Sequence, residues 1–454
     1  MRTTLTMLCV LGTAFAGFSQ DKNFDLSKYK FPDYKRHELE LNFNSSGVMD
    51  KDSRDVPSSS MMGGTERIDY SDASFNSGAS LTYQYDYLTR KQVDFLYSTF
   101  SGQYDFSKSN ADGQKTKRFN PHMNWYLTGF RRYYLKENKF FIEGLTDLQY
   151  YLDNYKTTYT NGSDYQNRTD RLDLSIGLGL GIGRIEKVSD LWQASYILEK
   201  LNGQKSLDRD LQQKDIYEFA YLASKLKNKR FFDARLRKIA ELQALDSLMH
   251  NQGLVKNSDI SYFTTLNDYW SYGNFQDRES GKELKVSAKP QYTRQYSKAD
   301  GDTANISSKT SIISNISFKC AKPINLYWER YFNASVSNET IIEKSGEYYN
   351  NYPKNSLSGG ANFGYGYFPD SRTSFSGILG YSGQKLMVQN STGYEPNVSD
   401  QWMNMVYLQL KGNYYISPQL QITANFNVNY IDKAYRTINE IRTSYDLGLR
   451  YAIF

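Results

Sequence analysis

Residues 171–183 read R-L-D-L-S-I-G-L-G-L-G-I-G. Leu172, Leu174, Ile176, Leu178, Leu180 and Ile182 alternate with Asp173, Ser175, Gly177, Gly179, Gly181 and Gly183. Alternation of this length predicts a β-strand with one aliphatic face and one face that is polar or bears no side chain. A soluble sheet would cover the aliphatic face with a second protein layer. A transmembrane barrel would cover it with lipid and turn the small residues towards a lumen. Residues 419–433 repeat the pattern: Leu420, Ile422, Ala424, Phe426, Val428 and Tyr430 oppose Gln421, Thr423, Asn425, Asn427 and Asn429.

The same period predicts fourteen strand segments. Six lie before residue 187, at about 36–45, 76–88, 93–106, 120–135, 139–156 and 171–183. Eight follow residue 282, at about 284–296, 306–320, 324–342, 356–368, 372–388, 401–416, 419–433 and 440–454. Connections alternate between tight and long. Tight turns are expected at Thr89–Gln92, Lys136-Glu137-Asn138, Ala321-Lys322-Pro323, Pro369-Asp370-Ser371 and Ser417-Pro418, and polar loops at 46–75, 107–118, 157–169 and 389–400. An even strand number with this rhythm predicts an all-β transmembrane barrel of about fourteen antiparallel strands, tight turns on the periplasmic side and long loops outside. Within hydrocarbon every backbone N–H and C=O needs a partner, which favours closure of the sheet.

Between the sixth and seventh segments the period lengthens to that of a helix. Val188, Leu191, Trp192, Ser195 and Leu198 follow helical spacing, as do Leu211, Phe219, Leu222 and Leu226, and then Leu236, Ile239, Leu242, Leu245 and Met249. Tyr262, Phe263, Leu266, Tyr269 and Trp270 predict a short fourth helix. Gly203 and Gly253 are expected to end the first and third, and Asp210 with Gln213 resembles an N-terminal capping pair. Counting strand directions places this insertion, residues 187–282, on the periplasmic side. Such a domain is large for a connection that a tight turn could make.

Composition narrows the choice. Mean hydropathy is −0.67, and beyond the N-terminus no run approaches the ~20 apolar residues of a membrane helix. Tyr (40) and Phe (25) are abundant enough to furnish aromatic girdles at two water–lipid boundaries. Residues 1–20 read as an export signal: Arg2, an apolar core over Leu5–Phe15, and the small-x-small site Ala14-Phe15-Ala16. Residues 21–35 are then a periplasmic lead-in, 36–186 and 283–454 the barrel. The net charge of +6 is mild and points to no nucleic-acid partner.

Export signal, strand rhythm and terminal Phe454 together resemble the single-chain outer-membrane β-barrels of Gram-negative bacteria. The stretch Gly17-Phe18-Ser19-Gln20-Asp21 looks like signal ends common in the Bacteroidetes. The resemblance implies a location in the outer membrane, with its lipid and lipopolysaccharide as surroundings. The chain departs from the family pattern at its end. Tyr445, Leu447, Leu449, Tyr451 and Ile453 share one face, and Phe454 falls on the other with Asp446 and Arg450.

Candidate chemistry is sparse. Gly177-x-Gly179-x-Gly181-x-Gly183 fails the dinucleotide fingerprint, because Ile182 stands where its third Gly belongs and no helix opens there. Inward glycines leave room for a bulky neighbour, a plug or a solute, and the glycines at 359, 360, 364, 366, 377, 380 and 383 suit the same purpose. With Cys9 in the export signal, Cys320 alone remains, and His37, His122 and His250 are far apart; no metal site and no cofactor are expected. No nucleophile motif surrounds either barrel histidine, so an enzyme is not expected. By parity Asp86, Asp173, Gly177, Gly179, Gly181, Gln409, Lys411, Asn425, Asn427 and Arg450 face a lumen.

Lys225, Lys227, Lys229, Arg230, Arg235, Arg237 and Lys238 form a basic run in the insertion, relieved only by Asp233. It reads as a solvated helix face, or as a docking patch for an acidic periplasmic partner or for the anionic inner edge of the membrane. Two functions remain: a channel or uptake barrel for small polar or amphipathic solutes, and an anchor whose helices bind an envelope complex or the cell wall.

Overall fold

A computed structural model describes residues 29–57, 65–111, 114–136, 139–160, 162–228, 234–255, 258–272, 278–346, 348, 355–387, 401–417, 420–433 and 438–451. The export signal and Phe454 lie outside these residues. Fourteen strands form one sheet in sequence order, every neighbour pair antiparallel. They are β1 (Tyr34–Pro57), β2 (Thr65–Leu88), β3 (Gln92–Ala111), β4 (Gln114–Lys136), β5 (Phe140–Tyr159), β6 (Asp164–Lys187) and β7 (Glu279–Ala299). Then come β8 (Asn305–Pro323), β9 (Trp328–Ser345), β10 (Asn355–Tyr367), β11 (Thr373–Met387), β12 (Gln401–Ser417), β13 (Leu420–Lys433) and β14 (Ile438–Tyr451). This is the up-and-down order of a barrel wall. Among the described residues β1 and β14 remain unpaired edges, so the sheet is not closed.

Curvature shows in the side chains. Arg132 on β4 reaches Glu283 on β7 at 2.6 Å, although three strand spacings of ~4.8 Å separate those strands. That contact requires their shared face to be concave. The opposite face carries the aliphatic row of the sixth strand: Ile176 is 65% exposed, Leu178 70% and Leu180 62%. Ser175, Gly177 and Gly179 between them are buried.

Between β6 and β7 lie α1 (Ser189–Gly203), α2 (Gln213–Lys227), α3 (Ala234–Asn251) and α4 (Ile260–Tyr272). Their core is conventional: Leu191, Ile197, Leu198, Phe219, Leu245, Met249 and Leu266 are fully buried together, with Tyr29 and Phe31 of the N-terminal lead-in packed among them. Gly183 (φ +98) and Gly281 (φ +130) stand where the strands leave for and return from the helices. A Cβ at either would overlap a facing backbone carbonyl, of Lys282 or Arg184, so both positions need glycine.

Four expectations are corrected. The loops at 46–75, 107–118 and 157–169 are largely ladder: β1 and β2 stay paired out to Pro57 and Thr65, β3 and β4 to Ala111 and Gln114, and β5 and β6 to Thr158 and Asp164, while the loop at 389–400 lies outside the described residues. Polarity marks where apolar burial stops, while backbone pairing continues beyond it. The β8–β9 turn occupies residues 324–327 rather than 321–323, because Ala321, Lys322 and Pro323 still pair with β9. The capping box of α2 is Gln212 with Asp215, not Asp210 with Gln213. Finally, Gly359, Gly377 and Gly383 lie on the outward face, in register with Val336, Leu410 and Asn404.

Candidate functional site

The concave face of β4–β7 is filled by an ionic lattice. Glu143, fully buried, accepts from Arg132 at 2.6 Å and from Lys285 at 2.9 Å. Arg132 also holds Glu283, and its guanidinium lies 3.9 Å from the centre of the Phe141 ring. Arg184 donates to the Thr89 and Arg90 carbonyls of the β2–β3 turn. Further from the helices, Asp147 takes Lys289 at 2.6 Å, with Thr128 and Ser175 beside it. Every positive group here meets a carboxylate or a carbonyl, as desolvated charges require. The lattice fills the tight-turn half of this concave face with side chains.

Glycine makes room for it. A Cβ on Gly181 would fall within the Phe141 ring. Gly364 lies under Tyr331 in the same way, and Gly380 under Tyr407. The ring at 141 was not distinguishable in the sequence, where it is one of two adjacent phenylalanines.

The other lumen-facing candidates divide. Asp173 accepts from Arg171 at 2.7 Å and from Thr293 at 2.6 Å, adjoining the lattice. Asp86 accepts from Gln84 on β2. Gln409 donates to Asn427 at 2.9 Å on the β12–β13 side, where Lys411 faces Asn425 in register. Arg450 is in register with Gln421, and its side chain lies outside the described residues. Of the histidines, His37 bonds Tyr83 among outward rings at 2.8 Å, and His122 lies inside, 3.5 Å from Asp105. Among the described residues no group of three or more His, Cys, Asp or Glu side chains is placed to hold a metal.

The helices sit at the tight-turn end and reach across it. On one side Arg90, in the β2–β3 turn, donates to Glu186 at 2.6 Å and to the Phe31 carbonyl at 2.7 Å. On the other, Trp192 of α1 donates to the Leu326 carbonyl at 3.0 Å, and Tyr196 donates to the Phe368 carbonyl. Arg278, fully buried, donates to the carbonyls of Leu326, Asn325 and Trp328 and pairs with Glu329 at 3.1 Å. Burial pulls its guanidinium below the ordinary value, against the pull of Glu329. Asp268 of α4 pairs with Arg372 in the β10–β11 turn, and Tyr272 meets Tyr415 of β12 edge-on. The insertion's own contacts run to the β8–β9 and β10–β11 turns and to β12, while β6 and the lead-in hold the β2–β3 turn, which sets the helices as a cap over the tight-turn end of the sheet. Sequence reading located the helices but not this docking, which rests on backbone carbonyls of turns distant in sequence.

The basic run is partly spent inside the cap. Lys227 pairs with Asp190 at 2.7 Å, and Arg237 with Glu241 at 2.6 Å. Lys225 stays exposed, 4.6 Å from the centre of the Tyr221 ring, and Lys238 is half-buried. Lys229 and Arg230 lie outside the described residues, as does the side chain of Arg235. Within the cap, an ion pair from Arg209 holds the Asp215 carboxyl below its usual range.

No family model and no curated protein matches the chain. Among solved structures it is similar to the ferric yersiniabactin uptake receptor FyuA from Yersinia pestis, at 9% identity and TM-score 0.37, covering 90% of this chain and 63% of the receptor. It is similar to the alcaligin outer-membrane receptor FauA from Bordetella pertussis at 10% and 0.37, covering 93% and 66%. A third likeness is to the Pseudomonas putida toluene transporter TodX, at 8% and 0.28, covering 92% and 88%. The chain spans less than two thirds of the two receptors. Identities and scores this low leave the assignment to the chain's own geometry.

Proposed function

We propose that this chain is an outer-membrane barrel whose lumen passes small polar or amphipathic solutes, with the helical insertion as a periplasmic cap that restricts the passage. The supporting observation is the opposition of faces: an exposed aliphatic wall surrounds a concave face of ion pairs, amides and hydroxyls. Lipid is the medium in which that wall is stable, and water or a polar solute the content that suits the inner face. A barrel of this strand number lies between side-chain-filled and open types, in keeping with the lattice. The test is solute flux into proteoliposomes, comparing the intact chain with a variant carrying Trp192→Ala and Arg278→Gln, which undocks the cap. Faster flux in the variant supports a capped channel. A folded, inserted barrel that passes nothing in either form contradicts it.

The adaptor reading draws on one observation. The cap's surface bears an open groove of about 670 Å³ lined by Tyr217, Tyr221, Leu222 and Leu248, with Gln213, Lys214, Glu218 and Lys225 as its polar residues and Glu218 paired with Lys214. Such a groove suits an acidic, aromatic peptide of an envelope partner.

A further inference from the structure

The outward face of β3–β7 changes character towards the end of the sheet away from the helices. Tyr104 and Phe119 meet edge-on with ring centres 4.9 Å apart, and Tyr150 and Tyr296 share their face. Beyond and between these rings six basic side chains point outward: Lys108, Lys117, Lys156, Arg168, Arg294 and Lys298, all exposed. Their register is unusual. Lys108 stands directly opposite Lys117 on the β3–β4 ladder, and Arg168 directly opposite Lys298 on the β6–β7 ladder. Like charges in opposed positions destabilise a sheet, and two such pairs occur on one patch.

Two carboxylates offset part of this charge. Asp164 pairs with Lys156 at 2.9 Å, and Asp170 pairs with Arg168 at 2.9 Å. Among the described residues no ion pair reaches Lys108, Lys117, Arg294 or Lys298. Arg294 lies opposite Leu172, at the upper margin of the aliphatic wall. A long side chain there keeps its stem on apolar surface and extends its head to the water boundary. The Arg168 guanidinium lies 5.8 Å from the centre of the Tyr296 ring, which fixes its height at the aromatic girdle.

Charge at that height, above apolar wall and aromatic rings, fits a ligand with anionic groups joined to acyl chains. We propose that this patch binds a phosphorylated glycolipid of the outer leaflet, its phosphates bridging the opposed pairs Lys108/Lys117 and Arg168/Lys298 and its chains lying on the wall below. Arginine and lysine heads supply charge-assisted donors to phosphate oxygens, and a phosphate between two like charges turns their repulsion into attraction. The proposal rests on the membrane reading above, so insertion is measured first.

The full chain is refolded into phosphatidylcholine vesicles and flotation establishes insertion. Binding of fluorescent diphosphoryl lipid A is then compared with that of its dephosphorylated form, for the native chain and for a variant with Lys108→Gln, Lys117→Gln, Arg294→Gln and Lys298→Gln. The native chain is expected to prefer the diphosphoryl form at least tenfold, with the preference falling as salt rises and lost in the variant. A variant carrying Lys214→Gln, Lys225→Gln, Lys238→Gln and Lys282→Gln removes as many charges elsewhere and should keep the preference. Equal binding of the two lipids by an inserted native chain, or a preference unchanged by the patch substitutions, overturns the proposal. Failure to float overturns the membrane reading instead.

Discussion

The helical cap and the strand wall dispose of leucine in opposite ways. In the cap Leu191, Leu198 and Leu201 are fully buried against one another and against Phe219 and Met249. In the wall Leu178 and Leu449 are each 70% exposed and Leu447 75%. A chain folded wholly in water has reason to bury both sets, since each buried methylene contributes about 0.8 kcal/mol. The difference teaches that the two regions meet different solvents. The cap carries its own core; the wall, on the reading proposed above, relies on lipid for its apolar side and keeps its protein–protein packing for the concave side.

Paired substitutions break this comparison most strongly. Leu198→Ala should destabilise the cap by about 2–5 kcal/mol, because it loses both transfer energy and packing. Leu178→Ala should cost roughly 2 kcal/mol or less, as lipid chains fill the space and only the transfer contribution is lost. Denaturant unfolding of protein folded in vesicles, followed by separate probes in cap and strands, measures both. Equal losses at the two sites would mean that the wall packs against protein.

A smaller effect sharpens the same contrast on the inner face. Gly181→Ala forces the Phe141 ring out of the lattice and should cost about 1–3 kcal/mol, as other over-packed sites do. Phe141→Leu in the same chain should restore part of that loss. Thermal unfolding of the single and double variants reads the coupling. Simple additivity would show that ring and glycine do not share the space.

The pattern of alternation made most of the wall legible. Fourteen segments, their order and the helical break after β6 all follow from period, because each strand has one lipid-like and one polar side. Strand ends were less legible: hydrophobicity fades at Asn44 and Arg168, whereas ladders run on through residues that only hydrogen-bond. The inward glycines were readable as space-makers, and Gly181, Gly364 and Gly380 do lie beneath aromatic rings. Which ring fills each space was not readable, since Phe141 and Tyr331 approach from neighbouring strands. The docking of the cap was invisible for the same reason. Arg278 binds the carbonyls of Asn325, Leu326 and Trp328, a site made by backbone and register rather than by residue type.

The most direct test of the lipid-facing wall is a spin-label scan of residues 420–430 in vesicles, in a Cys320→Ser background. Collision with oxygen, which concentrates in the bilayer, is compared with collision by a water-soluble nickel chelate. The wall described above predicts period-two behaviour: high oxygen access at 420, 422, 424, 426, 428 and 430, and nickel access at 421, 423, 425, 427 and 429. Even positions shielded from oxygen, or a scan without alternation, would contradict it.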